Sequence, residues 1–289
     1  MTATTIDSEA AQAEILQERL GRSYIIHEVV ESTMPMMDEM IQNSCADGTT
    51  VVALRQTKGR GSGNRSWASP SGNVLFSRCV AVEAGNCGQE MEMIAALAVA
   101  EIVRELLPDH DIVLKYPNDV LVEGKKISGC LVPPVYDIDP ESPRKVNLGV
   151  GVNLRVAPQL VDGRQTACLA DYGVDCELGD FIMKFDVKFR ELCALQASCG
   201  FTCMLDRMGF LGDDGKLALR LSETQEICSG IYAGFKVHGS GKTAAAFLIM
   251  TDEVGALREY EVHTVTMAAA LRPTGTRLPR EHLLHASRS

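Results

Sequence analysis

QTKGRGSGNRSW, residues 56 to 67, follows the apolar run Val51 to Leu54, and reading the two together as a strand that empties into a glycine-rich cationic loop organises the rest of the chain. Gly59, Gly61 and Gly63 allow the backbone to approach a ligand closely. Lys58, Arg60 and Arg65 supply charge-assisted donors of the kind that hold carboxylates and phosphates. Taken alone, the stretch is explained at least as well by a solvated surface loop.

Upstream of it, Ala10 to Leu20 carries helix formers and Gly21 supplies a C-cap. Ser23 to Val30 has strand character. Ser32 or Thr33, with Pro35 in the following turn, caps a helix to about Cys45. Downstream, Asn73 to Val82 reads as a buried strand, and Gln89 to Leu107 as an amphipathic helix that covers a sheet. Ile112 to Leu114 is a short strand that reaches Lys115-Tyr116-Pro117-Asn118-Asp119, where Pro117 imposes a bend before Val120 to Val122. A hairpin turn over Glu123-Gly124-Lys125-Lys126 leads to a strand over Ile127 to Val132, and Pro133 to Pro143 is an acidic loop. In NLGVGVNL, residues 147 to 154, Gly149 and Gly151 alternate along a strand and strip side chains from one of its faces. That invites close approach by a ligand, or simply packing against a helix.

Asp180 to Cys199 is the last long helix, with Asp180 as its cap. Beyond a boundary near residue 207, four short strands between Gly/Ser turns predict a small β-barrel or sandwich, and Thr274 to Ser289 reads as a mobile tail. The fold class is therefore α+β, divided into 1–206, 207–273 and 274–289. HGSGKT at 238 to 243 resembles a phosphate loop only at its end: Lys236 stands where the first glycine is required, and a hairpin turn explains it better.

The chain has 289 residues, 28 Lys+Arg and 38 Asp+Glu, for a net charge of -10, which argues against a broad nucleic-acid surface and makes the cationic loop a local exception. Its ten cysteines are scattered without a CxxC pair and read as reduced thiols. Cys199 and Cys203 lack a nearby histidine and read as small hydrophobes rather than metal ligands. The first residues have neither the basic and apolar regions of a signal peptide nor the arginines of a presequence, so a cytoplasmic, membrane-free protein is expected.

Taken together, GRGSGNRSW at 59 to 67, KYPNDVLVEGKKISGCLV at 115 to 132 and GVGVNL at 149 to 154 resemble the biotin protein ligase family, whose GRGRxGxxW, KWPND, lysine-[LI]xG and GxGxN motifs occur in this order. VVESTM at 29 to 34 is similar to the family's Ser-Thr-Asn segment. The resemblance implies a catalytic domain of the class II aminoacyl-tRNA synthetase type, a mixed sheet flanked by helices, followed by a small SH3-like barrel. The short lead before the first strand implies a ligase without a DNA-binding domain. It implies two reactions: biotin and ATP, with Mg²⁺, give biotinyl-5′-AMP and pyrophosphate, and a lysine of a biotin carboxyl carrier domain, such as that of acetyl-CoA carboxylase, takes the biotinyl group as AMP leaves.

By the same resemblance Arg60 and Lys126 hold carboxylate and phosphate and, with Asp119, form the catalytic set. Ser32, Thr33, Met34, Gln56, Gly59, Gly61, Gly129, Gly149 and Gly151 join Arg60 and Lys126 in surrounding biotin. Ser62, Arg65, Trp67, Lys115, Asn118 and Asn153 join Arg60 and Gly61 around the nucleotide. Asp119 either contacts Mg²⁺ or accepts the proton of the incoming lysine. Ordering the glycine loop costs about 1 to 2 kcal/mol per residue against roughly 1.5 to 3 kcal/mol per charged hydrogen bond, so it is expected to be mobile when empty and closed over ligand. Three departures stand out: Ser62 replaces the second arginine of GRGR, Met34 the asparagine after Ser-Thr, and Tyr116 the tryptophan of KWPND. Lipoate or octanoate ligases and transferases share the chemistry and form one alternative, and a non-catalytic biotin or nucleotide binder is another. A monomer or a weak homodimer is expected.

Overall fold

The apolar run that opened the sequence analysis is the central part of β2 (Thr50–Gln56), and Val51, Val52 and Ala53 are fully buried in it. The computed structural model describes residues 9–63, 65–83, 88–133, 144–159, 165–211, 215–238, 245–262 and 265–267. The chain forms two compact units. The first comprises the described residues up to 83, 125–133 and 144–187, and the second comprises 88–124 and those from 188 onward.

In the first unit β2 lies parallel to β1 (Tyr24–Val30) and antiparallel to β3 (Val74–Val82). β7 (Arg144–Val152) pairs antiparallel with β3 and with β6 (Lys125–Leu131), so the sheet is mixed, in the order β1-β2-β3-β7-β6. Side chains alternate along β3. Phe76 and Arg78 face one side, where Phe185 of α4 (Leu178–Cys199) meets Phe76 edge-on at 5.2 Å and Asp186 pairs with Arg78 at 2.6 Å. Ser77 and Cys79 face the other, which α2 (Thr33–Gln42) covers: Met37 is buried against Val51 and Cys79. Thus α2 and the first half of α4 lie on opposite faces.

Helix α2 has ten residues, too few to persist alone. Ser32 caps it by accepting from the Met34 amide at 3.4 Å, an interaction of about 1 kcal/mol. Burial of Met37 contributes more, roughly 1.5 to 3 kcal/mol, so tertiary packing dominates. The helix ends at Gln42, short of the expected Cys45, with Ser44 at φ 62°. Helix α1 (Glu9–Leu20) packs on β1 and stops at Gly21, whose φ of 84° fits the predicted cap. Asp180 does not cap α4. The helix begins two residues earlier, and Asp180 in its first turn pairs with Arg19.

The second unit holds α3 (Gly88–Leu106), the hairpin of β4 (Ile112–Lys115) and β5 (Asp119–Val122), the end of α4, the short helix α5 (Phe201–Arg207), which sequence analysis missed, and five more strands. Helix α3 was expected to be amphipathic, yet every residue from Gly88 to Val103 is buried, Glu90, Glu92 and Glu101 included. Each carboxylate is partnered: Glu90 accepts from Tyr232 (2.6 Å) and Gln196 (2.9 Å), Glu92 from Asn118 (2.9 Å), and Glu101 from Arg207 (2.6 Å). Buried charge is tolerable only on such terms.

The C-terminal strands are β8 (Leu217–Leu221), β9 (Ile227–His238), β10 (Ala245–Thr251), β11 (Leu257–Glu261) and β12 (Val265–Met267). They form an antiparallel sheet in the order β11-β10-β9-β8-β12. Among the described residues the order is linear: β11 pairs with β10 and the three-residue β12 with β8, so the strands form an open sheet where a barrel was expected. Strands β9 and β10 pair across residues 239–244, most of the HGSGKT stretch, which itself lies outside the described residues, as does the expected tail. No helix among the described residues is long and apolar enough to cross a membrane.

Candidate active site

Gly149 and Gly151 of β7 stand opposite Ser77 and Leu75 of β3, on the face that α2 covers, and Gly129 of β6 stands opposite Gly151. The missing side chains make room for others. A Cβ at Gly149 would lie 2.6 Å from Met34 Sδ, and one at Gly151 would lie 2.6 to 2.8 Å from three indole atoms of Trp67. One at Gly129 would lie 3.1 Å from Lys126 Nζ and 3.3 Å from Trp67. The alternating glycines predicted from sequence are therefore a floor, and Trp67 stacks directly on it.

Around one end of the floor lies a chain of uncharged hydrogen-bonding groups. The Thr33 amide donates to Gln56 Oε1 at 2.8 Å, and the Thr33 hydroxyl lies 2.7 Å from that of Ser77. Gln56 Nε2 donates to Ser69 Oγ at 2.9 Å, and Ser69 Oγ donates to the Trp67 carbonyl at 3.0 Å. This chain of hydrogen bonds fixes the α2 N-terminus against β2, β3 and the base of the loop. At the other end is a cation, Lys126 Nζ, 5.1 Å from the centre of the Trp67 ring. Its backbone is clamped: Lys126 N donates to the Gln165 carbonyl, and its own carbonyl accepts from Ala167 N, both at 3.0 Å.

The glycine loop is a hairpin. Trp67 N donates to the Gly59 carbonyl at 2.9 Å and Gly61 N to that of Arg65 at 2.8 Å, with Arg60 paired to Ser66. Gly59 is required because a Cβ there would strike the Trp67 carbonyl at 2.4 Å and Ser69 Oγ at 2.5 Å. At the tip, Arg65 donates to the Ser62 carbonyl at 3.1 Å and also bonds Ser62 Oγ, so Ser62 serves as a partner for a loop cation. Arg60 is exposed. Lys58 pairs with Glu31 at 2.6 Å on the surface, where such a pair contributes little.

Asn153 closes the far side of the glycine strand. It is 1% exposed, its amide donates to the Ala167 carbonyl at 3.0 Å, and its Oδ1 is buried with no hydrogen-bond partner among the described residues. The structure thus brings together Ser32, Thr33, Met34, Gln56, Gly59, Arg60, Gly61, Ser62, Arg65, Trp67, Lys126, Gly129, Gly149, Gly151 and Asn153 in the first unit. Lys115, Asn118 and Asp119 belong to the second. There Lys115 pairs with Asp119 across the end of the β4–β5 hairpin, beside the cis Tyr116–Pro117 bond, and Asn118 donates to Glu92. Burial, and next Glu92, raise the Tyr116 phenol far above its ordinary pKa. Ser69, Ser77 and Asn147 were missed. For Ser77 and Asn147 the only available signal was a polar residue at an inward position of an apolar strand.

Residues 26–153 match the model of the Biotin/lipoate A/B protein ligase family. The bifunctional ligase/repressor BirA of Bacillus subtilis is 32% identical over 144 residues, covering 49% of this chain and 43% of that protein. The biotin–[acetyl-CoA-carboxylase] ligase of Mycobacterium tuberculosis is 37% identical over 134 residues, covering 44% and 47%. The chain spans less than half the length of these two curated relatives. Among solved structures, biotin protein ligase from Aquifex aeolicus in complex with biotin and ATP shares the fold, with a TM-score of 0.60 and 22% identity over 86% of this chain and 99% of that one.

Proposed function

We propose that this chain, which carries a biotin/lipoate A/B protein ligase family domain over residues 26–153, is a biotin protein ligase that activates biotin with ATP and passes it to a lysine of a biotin carboxyl carrier domain. The observation that carries this reading is the polarity of the glycine floor. Neutral donors and acceptors from Ser32, Thr33 and Gln56 lie at one end and the Lys126 ammonium at the other, which suits a molecule with a cyclic urea at one end and a carboxylate at the other.

Arg60 and Lys126 hold the biotin carboxylate and the α-phosphate together, offsetting the repulsion between two anions and keeping them in line for attack. Trp67 lifts from the glycines as biotin enters, and the hairpin of residues 59–67 closes over the adenylate and excludes water from the mixed anhydride. Asn153 offers its unpartnered Oδ1 to the nucleotide, joined by Arg65. The metal enters with the nucleotide as Mg-ATP, and no group of three or more His, Cys, Asp or Glu able to hold a metal occurs among the described residues. Asp119 either contacts Mg²⁺ with the phosphates or accepts the proton of the carrier lysine in the second reaction.

We assign catalysis to residues 1–206, with a class II synthetase-like sheet, and a small SH3-like domain to 207–273, in a cytoplasmic protein. The test is the mass of a purified carrier domain after incubation with the protein, ATP, Mg²⁺ and either biotin or lipoate. Gain of a biotinyl group only supports the proposal. Gain of a lipoyl group only moves the chain to the lipoate ligases, and no gain with biotin binding intact makes it a binding protein.

A further inference from the structure

Asn147 stands on β7 two residues before Gly149, on the same face of the sheet, and is 4% exposed. Its Nδ2 donates twice, to the Met34 carbonyl at 2.8 Å and to Asp38 Oδ1 at 2.7 Å. Both partners are acceptors, which fixes the orientation of the amide, since turning it over would set oxygen against oxygen. The consequence is that Asn147 Oδ1 is buried with no hydrogen-bond partner among the described residues. An apolar side chain of similar volume would leave no such acceptor stranded. The arrangement accepts a loss of stability in exchange for holding one thing in place, the first turn of α2.

That turn begins at Ser32 and Thr33, and its Met34 Sδ fills the space above Gly149. We propose that Asn147 is a positioning residue for recognition of the substrate's ring: by tethering Met34 and Asp38 to β7 it sets the height of Ser32 and Thr33 above the glycine floor. The inference rests on the reading of that floor as the biotin site. Where the family pattern has an asparagine after Ser-Thr, this chain has Met34, and a buried amide reaches the same turn from the neighbouring strand.

The test uses the full chain and two variants, Asn147→Leu, which keeps the volume, and Asn147→Ala, which cannot overpack. Biotin and Mg-ATP binding are titrated separately by calorimetry, and thermal unfolding is recorded without ligand. In both variants biotin binding is expected to weaken about tenfold, equivalent to about 1.4 kcal/mol, with ATP affinity retained and the leucine variant melting at or near the wild-type temperature. Biotin affinity within twofold of wild type in either folded variant overturns the proposal. So does a parallel fall of biotin affinity, ATP affinity and melting temperature, which marks a purely structural role. Wild-type protein that binds ATP but no biotin removes the reading of the site, and this inference with it.

Discussion

Gly151→Ala tests the floor most directly, because the collision it creates is with the only tryptophan of the chain. The new Cβ would lie 2.6 Å from Trp67 Cε2, whereas carbons at rest are separated by about 3.5 to 4.0 Å, so the indole has to withdraw by roughly 1 Å. Overpacking of this size costs about 1 to 3 kcal/mol. Gly151 is not at positive φ, so alanine fits the backbone and recovers about 0.4 to 1 kcal/mol by restricting the unfolded chain. The net loss of stability is therefore modest, on the order of 1 kcal/mol, and the protein is expected to fold. Displacement of the indole also weakens its contact with Lys126, a term of about 0.5 to 1 kcal/mol at a partly exposed site. Trp67 fluorescence reads all of this without a label. The ligand-free variant is expected to emit at longer wavelength than wild type, and the change on adding biotin to shrink as affinity falls about tenfold or more. An unchanged emission maximum together with wild-type biotin affinity would refute the stacking of Trp67 on the glycines as the resting state.

Lys126→Ala is expected to slow adenylate formation by about 10²- to 10³-fold, and wild-type pyrophosphate release in a single turnover would remove Lys126 from the chemistry. Limited proteolysis within residues 59–67 is expected to slow when biotin and ATP are present together, and equal cutting with and without them would argue against closure of the hairpin. Burial, and then a hydrogen bond with Cys45, push the Cys79 thiol up to about 12 from an ordinary 9.0. The folded state thus holds that proton more tightly than the unfolded one. Its contribution is full below about pH 9 and is lost as pH rises toward 12, with a slope of at most about 1.4 kcal/mol per unit. Urea midpoints measured at pH 8 and 10 are expected to diverge less in Cys79→Ala, and an identical divergence would show that other groups carry the alkaline loss.

The parts of the site that follow from local spacing were legible in the sequence. A run of apolar residues before glycines and arginines can only be a strand that empties into a loop. Glycines two apart in a strand share a face whatever the fold, and β7 presents them as predicted. A cap at Ser32 or Thr33 was legible from the helix behind it, and the structure selects Ser32. What escaped depends on partners remote in the chain. The pairing of Thr33 with Ser77 spans 44 residues and the tether from Asn147 to Met34 spans 113. The burial of Glu90 and Glu101 in a helix expected to be amphipathic was hidden too, because nothing near them in sequence announces Gln196, Arg207 or Tyr232. The open order of the C-terminal strands was equally hidden, since alternation and turns specify strands but not whether the outer two meet.

The buried carboxylates of α3 also set an order of events. A chain leaves the ribosome amino end first, so Glu101 emerges 106 residues before Arg207, and Glu90 emerges 106 residues before Gln196 and 142 before Tyr232. Until those residues arrive, burying the helix would strip Glu90 and Glu101 of hydrogen bonds that the folded chain gives them, although Lys188 already offers Glu101 a cation at 3.5 Å. The middle of this protein therefore waits for its carboxyl-terminal third. A nascent chain stalled before residue 232, or a fragment cut at residue 206, leaves Glu90 without its tyrosine, and the cut also leaves Glu101 without its arginine. Tyr232 of β9 is thereby part of what allows α3 to be buried.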